Sequence, residues 1–143
     1  MRAAKQSTRT APSLRFAVVE LGRLRGHERI RPALLEELSE QIRREGVLKR
    51  PILVADRDFV ILDGHHRAEA LRKLGYVRIP VYLVDYRSDI VKLGTWPDAV
   101  VSVVSKEEVL RRGLHNDPFP PKTTRHTVTV SLEERPTELK ELL

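Results

Sequence analysis

Apolar and polar positions along the chain group into short strands and amphipathic helices. Residues 15–24 are apolar and β-branched enough for a first strand, and the pattern breaks at the polar stretch 25–32. Pro32 suits a first helical turn. Leu34, Leu35, Leu38 and Ile42 then keep the three-to-four spacing of one buried face, which predicts a helix ending at Gly46. Residues 51–55 and 59–62 read as strands joined in a hairpin by Asp56, Arg57 and Asp58. From Arg67 onward, Ala70, Leu71 and Leu74 recur at helical spacing until Gly75, and residues 79–84 form another strand.

The second half is punctuated differently. Residues 90–96 and 100–104 carry shorter apolar runs, and Ser105-Lys106-Glu107-Glu108 has the form of a capping box. It predicts a helix to about Arg112, stopped by Gly113. Residues 116–121 contain three prolines and are expected to be irregular. Alternation over 127–132 predicts a last strand, and the charged end after Glu133 a frayed tail.

Length limits this to one compact domain, since 143 residues with 41% hydrophobic content support one core and not two. We expect it to occupy residues 14–132, between a disordered basic lead at 1–13 and a charged tail at 133–143. The absence of cysteine excludes disulfides, thiolate metal sites and thiol catalysis, and suits an intracellular setting. The opening residues are basic and polar with no apolar run behind them, so a cytoplasmic protein is expected. A net charge of +6 favours an anionic partner: nucleic acid, nucleotide or acidic metabolite. Heavy use of Arg, Glu and Lys with a single Met also fits thermophile composition.

The densest chemistry lies where the strand at 59–62 runs into Asp63-Gly64-His65-His66-Arg67. Unpaired backbone N–H groups at a helix start carry partial positive charge and favour an anion such as phosphate. Gly64 lets the chain turn and a ligand come close. His65, His66 and Arg67 add donors, while Asp63 could hold a divalent cation or orient a hydroxyl. Three further features are ambiguous alone. Glu28 in a Gly-His-Glu-Arg loop would ordinarily be solvated, the lone Trp96 would ordinarily be core or a lid on it, and Lys122 to His126 would ordinarily be a solvated edge. Yet Lys122, Thr123, Thr124, Arg125 and His126 directly after Pro120-Pro121 also form a set of anion-binding groups.

The order strand, acidic loop, helix, hairpin, Asp-Gly-His-His-Arg, helix, strand resembles the ParB/sulfiredoxin superfamily over residues 14–86. That resemblance implies an α/β (α+β) fold, one domain with a small mixed sheet and about three helices. Glu28, the double histidine, Trp96 in Leu-Gly-Thr-Trp, and the Pro-Pro-Lys-Thr-Thr-Arg-His segment extend it to about residue 131. Together they look like the archaeal free L-serine kinases, which make O-phosphoserine with ADP or ATP and magnesium. The likeness implies that Gly64 to Arg67 bind the nucleotide phosphates and that Asp63 coordinates Mg2+ with them or steers the hydroxyl. It further implies Glu28 as general base, Trp96 as an apolar wall, and Lys122 to His126 as a grip on the carboxylate or transferred phosphate. Those kinases have more structure between the tryptophan and the second motif. Only residues 97–121 lie there in this chain, which leaves room for another small hydroxylated substrate or a partner subunit.

Absent motifs narrow the field. There is no Walker A sequence or protein-kinase glycine loop, and sulfiredoxin chemistry lacks its thiol. The alternative is a ParB-like, nucleotide-binding DNA-associated protein, either a nuclease or a nucleotide switch, which the basic charge would suit. Against it, no helix pair with a short glycine turn follows residue 86. A catalytically silent nucleotide-binding module is a third reading, and Glu28 with Lys122 to His126 is what separates it from a kinase.

Overall fold

The computed structural model describes residues 14–101 and 103–143. The lead expected at 1–13 lies outside the described residues. Strand β1 (Leu14–Glu20) runs into a 3-10 turn (Leu21–Arg23), an extended loop and helix α1 (Pro32–Glu45). Pro32 occupies the first turn as expected, and Gly46 caps the helix in the left-handed conformation at φ 72°. Then come β2 (Val47–Leu48), β3 (Ile52–Ala55), β4 (Ile61–Asp63), α2 (His65–Lys73) and β5 (Arg78–Val84). The remainder comprises β6 (Val91–Thr95), α3 (Lys106–Leu114), β7 (Thr124–Val128), β8 (Thr137–Glu138) and a 3-10 turn (Leu139–Leu142). This is the mixed α/β domain that the sequence implied.

The central sheet has the order β1-β5-β3-β4. β1 and β4 run antiparallel to their neighbours, and β3 runs parallel to β5, as a crossover through α2 allows. All four residues of β3 are buried, because both faces of the sheet are covered. Ile52 and Val54 join Ile42 of α1 and Leu71 of α2 in one core, whereas Leu53 and Ala55 face Val109 of α3, Phe119 and Tyr86 in another. Strand alternation thus feeds two cores from a single run.

Four expectations are corrected. Helix α3 does not stop at Gly113 but passes through it to Leu114, because a side chain there would press to 2.9 Å from Val60 and only glycine lets the helix approach. The last strand begins at Thr124, three residues before its alternation does, since pairing with β6 sets its register. Residues 100–104 supply no strand among the described residues, and Val101 and Val104 pack against the second core instead. The expected frayed tail is docked. Thr137–Glu138 pairs with Val47–Leu48, and Leu139 and Leu142, three apart on a 3-10 turn, are 5% and 0% exposed in the first core.

Candidate functional site

A cleft of about 590 Å³ opens where β4 gives way to α2. Its walls carry Glu28, Asp63, Gly64, His65, His66 and Arg67 together with Trp96, Lys122, Thr124, Arg125 and His126. Eleven of the twelve residues singled out from sequence therefore meet in one place. Thr123 does not. It is fully buried and its hydroxyl donates to Pro120 O at 2.7 Å.

The turn into α2 requires glycine. Gly64 sits at φ 113°, and a Cβ there would lie 2.3 Å from Ile52 Cγ2. The residues of this helix start, Gly64, His65, His66 and Arg67, all line the cleft, and the first N–H groups of a helix have no partner within it. His65 and His66 do more than line the cleft, for each ring Nε2 accepts a backbone N–H from the loop before α1. His27 N–H donates to His65 at 3.1 Å and Arg31 N–H to His66 at 2.9 Å, which assigns the ring hydrogen of both to Nδ1. Burial first, then the neighbouring His27, His126 and His66, holds His65 well below the ordinary histidine value; burial also lowers His66, opposed by Glu28. Both rings are neutral at neutral pH and serve as struts as well as lining. Arg67 is similar, donating to Arg50 O at 3.1 Å and Pro51 O at 2.9 Å while pairing with Asp63 at 3.7 Å.

Glu28 is positioned by a strip of loop that behaves as an extra strand. Residue 25 bridges Val60 of the sheet margin, Ile61 N–H donates to Arg25 O, and Glu28 bridges Phe119. The carboxylate lands under a bend of the 122–124 backbone. Oε2 accepts the N–H of Lys122 at 3.0 Å; Oε1 accepts those of Thr124 at 2.9 Å and Thr123 at 3.3 Å and touches the Thr124 hydroxyl at 3.0 Å. Lys122 reaches this geometry at φ 59°. A glutamate that the sequence would leave in solvent is thus the clasp joining two distant segments. Oε2, with one donor against two lone pairs, keeps room for a proton.

Trp96 lines the same cleft. Its indole N–H donates to Thr124 O at 3.0 Å, and the Lys122 and Arg125 cations lie 5.1 and 4.7 Å from the ring centroid. The cations of this segment at the cleft are therefore Lys122 and Arg125. His126 is not a third cation, since burial lowers its pKa to about 3 and its Nε2 meets the Tyr86 hydroxyl at 2.7 Å.

Sequence reasoning gave no role to His27, which is completely buried. Its Nδ1 meets Ile61 O at 2.7 Å and its Nε2 the Thr124 hydroxyl at 2.8 Å, with its pKa lowered to about 4, chiefly by burial. Arg31, Leu34 and Leu38 of the α1 entrance and Thr127 also line the cleft and were missed. Leu34 and Leu38 belong to the helical stripe that predicted α1, so nothing in their spacing separates cleft from core.

Among the described residues, no group of three or more His, Cys, Asp or Glu could hold a metal by itself. Asp63, with its side chain 68% exposed at the mouth, is the carboxylate that suits Mg2+, an ion commonly held by one or two carboxylates plus phosphates and water. No helix among the described residues is long and apolar enough to cross a membrane.

The topology, with a glycine-started helix beside a cleft at the sheet margin, defines a mixed α+β class. The chain belongs to the ParB N-terminal domain family, whose profile matches residues 1–92. It is 37% identical over 103 residues to an ATP-dependent L-serine kinase of Staphylothermus marinus, covering 68% of this chain and 41% of that protein. It is 36% identical over 85 residues to an ADP-dependent L-serine kinase of Thermococcus kodakarensis, covering 57% of this chain and 35% of that protein. The chain thus spans about two fifths or less of the length of these relatives. In structure it resembles a free serine kinase in complex with AMP, with TM-score 0.82 and 21% identity over 90% of this chain and 93% of that one. That likeness shows that the fold continues past the family profile into the second half.

Proposed function

We propose that this chain is a nucleotide-dependent kinase that phosphorylates free L-serine to O-phospho-L-serine. The observation that carries the reading is the convergence of Glu28, the Gly64 helix start and the Lys122 to Arg125 segment on one cleft. The relatives named as L-serine kinases support the choice of substrate, and their two names, one ATP-dependent and one ADP-dependent, leave both donors to be tested.

Phosphoryl transfer asks mainly for positioning and charge neutralisation. In this reading the backbone N–H groups from Gly64 to Arg67 hold the donor phosphates. Mg2+, held by Asp63 and those phosphates, would neutralise charge on them. Lys122 and Arg125 grip the amino-acid carboxylate against the wall of Trp96. Glu28 Oε2 takes the proton of the serine hydroxyl as that oxygen attacks phosphorus. The clasp on Glu28 fixes the base relative to the carboxylate grip, because the same backbone segment carries both.

The test is to incubate the purified chain with ATP or ADP, Mg2+ and a panel of free hydroxylated amino acids and to measure phosphorylated products. O-phosphoserine as the main product is expected. Absence of any phosphorylated amino acid with either donor would overturn the reading.

A further inference from the structure

Hydrogen counting at the base of the cleft reveals a shortage. Ile61 O can only accept, so His27 Nδ1 carries the ring hydrogen, and the neutral ring leaves Nε2 bare. The Thr124 hydroxyl lies 2.8 Å from that nitrogen and 3.0 Å from Glu28 Oε1. Both are acceptors, and the hydroxyl has one hydrogen. An ionised carboxylate is the stronger competitor, but Oε1 already accepts two backbone N–H groups, whereas His27 is fully buried and Nε2 has this one donor among the described residues.

The conflict disappears when Glu28 is protonated. A proton on Oε2 leaves Oε1 a neutral carbonyl oxygen with two N–H donors, and the Thr124 hydroxyl is then free to turn to His27. We propose that Thr124 and His27 are positioning residues that tune Glu28 as a base, the Thr124 hydroxyl serving as a rotor whose hydrogen points to Glu28 when it is ionised and to His27 Nε2 once it has accepted the substrate proton. This rests on Glu28 being the base of the proposed kinase. Atoms and electrons balance: the substrate O–H bond breaks and a Glu28 O–H bond forms, the substrate oxygen bonds to phosphorus as the bond from that phosphorus to the bridging oxygen breaks and the shortened nucleotide leaves with its electron pair, and the Thr124 hydrogen changes acceptor without leaving its oxygen. The ring of His27 gains no proton.

The two partners therefore act on Glu28 in opposite senses. Deleting the hydroxyl removes a donor from the ionised carboxylate and raises its proton affinity. Deleting Nε2 removes the competing acceptor, commits the hydroxyl to Glu28 and lowers it. Other titratable or charged groups face the pair: the neutral His66 and the Arg31 cation near Glu28, the Lys122 and Arg125 cations from the 122–125 segment, and the neutral His65 and His126 packed against His27. All of them stay in place in the comparison.

The experiment is the pH profile of kcat/KM for serine phosphorylation with Mg2+ and whichever of ATP and ADP is the donor. Thr124→Val should move the acidic limb to higher pH by about one unit, the size expected for one hydrogen bond to a charged group. His27→Asn, whose amide can still donate to Ile61 O but offers nothing in place of Nε2, should move it to lower pH. Thr124→Ser should restore the wild-type limb. If Glu28→Gln keeps full turnover, the base assignment itself falls; if Glu28→Gln is inactive while Thr124→Val and His27→Asn shift together or not at all, the rotor falls alone. A measurement on the unaltered protein covers the case of poorly folded variants. In 15N-labelled protein the His27 Nε2 resonance should move with pH before the ring itself takes up a proton near pH 4, and a resonance fixed down to that point would overturn the rotor.

Discussion

Glu28 Oε2 accepts the backbone N–H of Lys122 at 3.0 Å across 94 positions of sequence, and this one bond joins the loop before α1 to the segment leading into β7. With the companion bonds from Thr123 and Thr124, it makes Glu28 both the candidate base and the pin that holds the acceptor wall. The two roles separate by substitution. Glu28→Gln keeps one carbonyl oxygen for the Thr124 N–H but turns an amide donor toward Lys122. Turnover should fall by roughly 10²–10⁴-fold, with nucleotide affinity within a few-fold of wild type by calorimetry. Glu28→Ala should in addition lower the melting temperature, because it orphans three backbone N–H groups at a cost of about 1–3 kcal/mol for each that water does not reach.

The turn at Gly64 offers the sharpest steric test. Gly64→Ala must accommodate a Cβ 2.3 Å from Ile52 in a left-handed conformation. We expect a loss of about 1–3 kcal/mol in denaturant unfolding, together with loss of nucleotide binding as the start of α2 is displaced. Wild-type stability in this variant would mean that the turn has another conformation.

Acid should unfold this protein through its buried histidines. The folded-state values of His27 and His126, about 4 and about 3, lie below the ordinary 6.5, so the unfolded chain binds protons first. Stability is complete above about pH 6.5 and declines as pH falls toward 4 and then 3, by about 3 kcal/mol from His27 alone. Urea midpoints measured from pH 7 to 4 should fall, and His27→Asn should flatten that slope.

Docking of the C-terminal turn predicts a stability cost with no direct effect on the cleft. Leu142 is fully buried in the core shared by α1, α2 and β5, so Leu142→Ala should cost about 2–5 kcal/mol. Thermal unfolding reads this directly. A change within error of zero would return the end of the chain to the frayed state expected from its charge.

At the proposed acceptor wall, Arg125→Ala should raise the KM for serine by about tenfold or more while sparing nucleotide affinity, since the guanidinium lies over Trp96 and not on the Gly64 helix start proposed to hold the donor. Steady-state kinetics with serine varied at saturating donor measures the effect. An unchanged KM would remove Arg125 from the carboxylate grip.

Local chemistry determined much of this protein. The spacing of Leu35, Leu38 and Ile42 set α1, the apolar run at 52–55 set the central strand, and Asp63 to Arg67 announced a strand-to-helix turn, because each depends on neighbours within one or two turns of chain. What the sequence could not decide was every relationship that closes a long loop. The clasp of Glu28 on residues 122–124 and the burial of His27 between Ile61 and Thr124 both join segments dozens of residues apart. The charge of the last eleven residues likewise hid two leucines that the strand pairing at Thr137 delivers to the core. A hydrogen bond between distant segments leaves no period in the sequence, and the packing that excludes water from it exists only once the chain has folded.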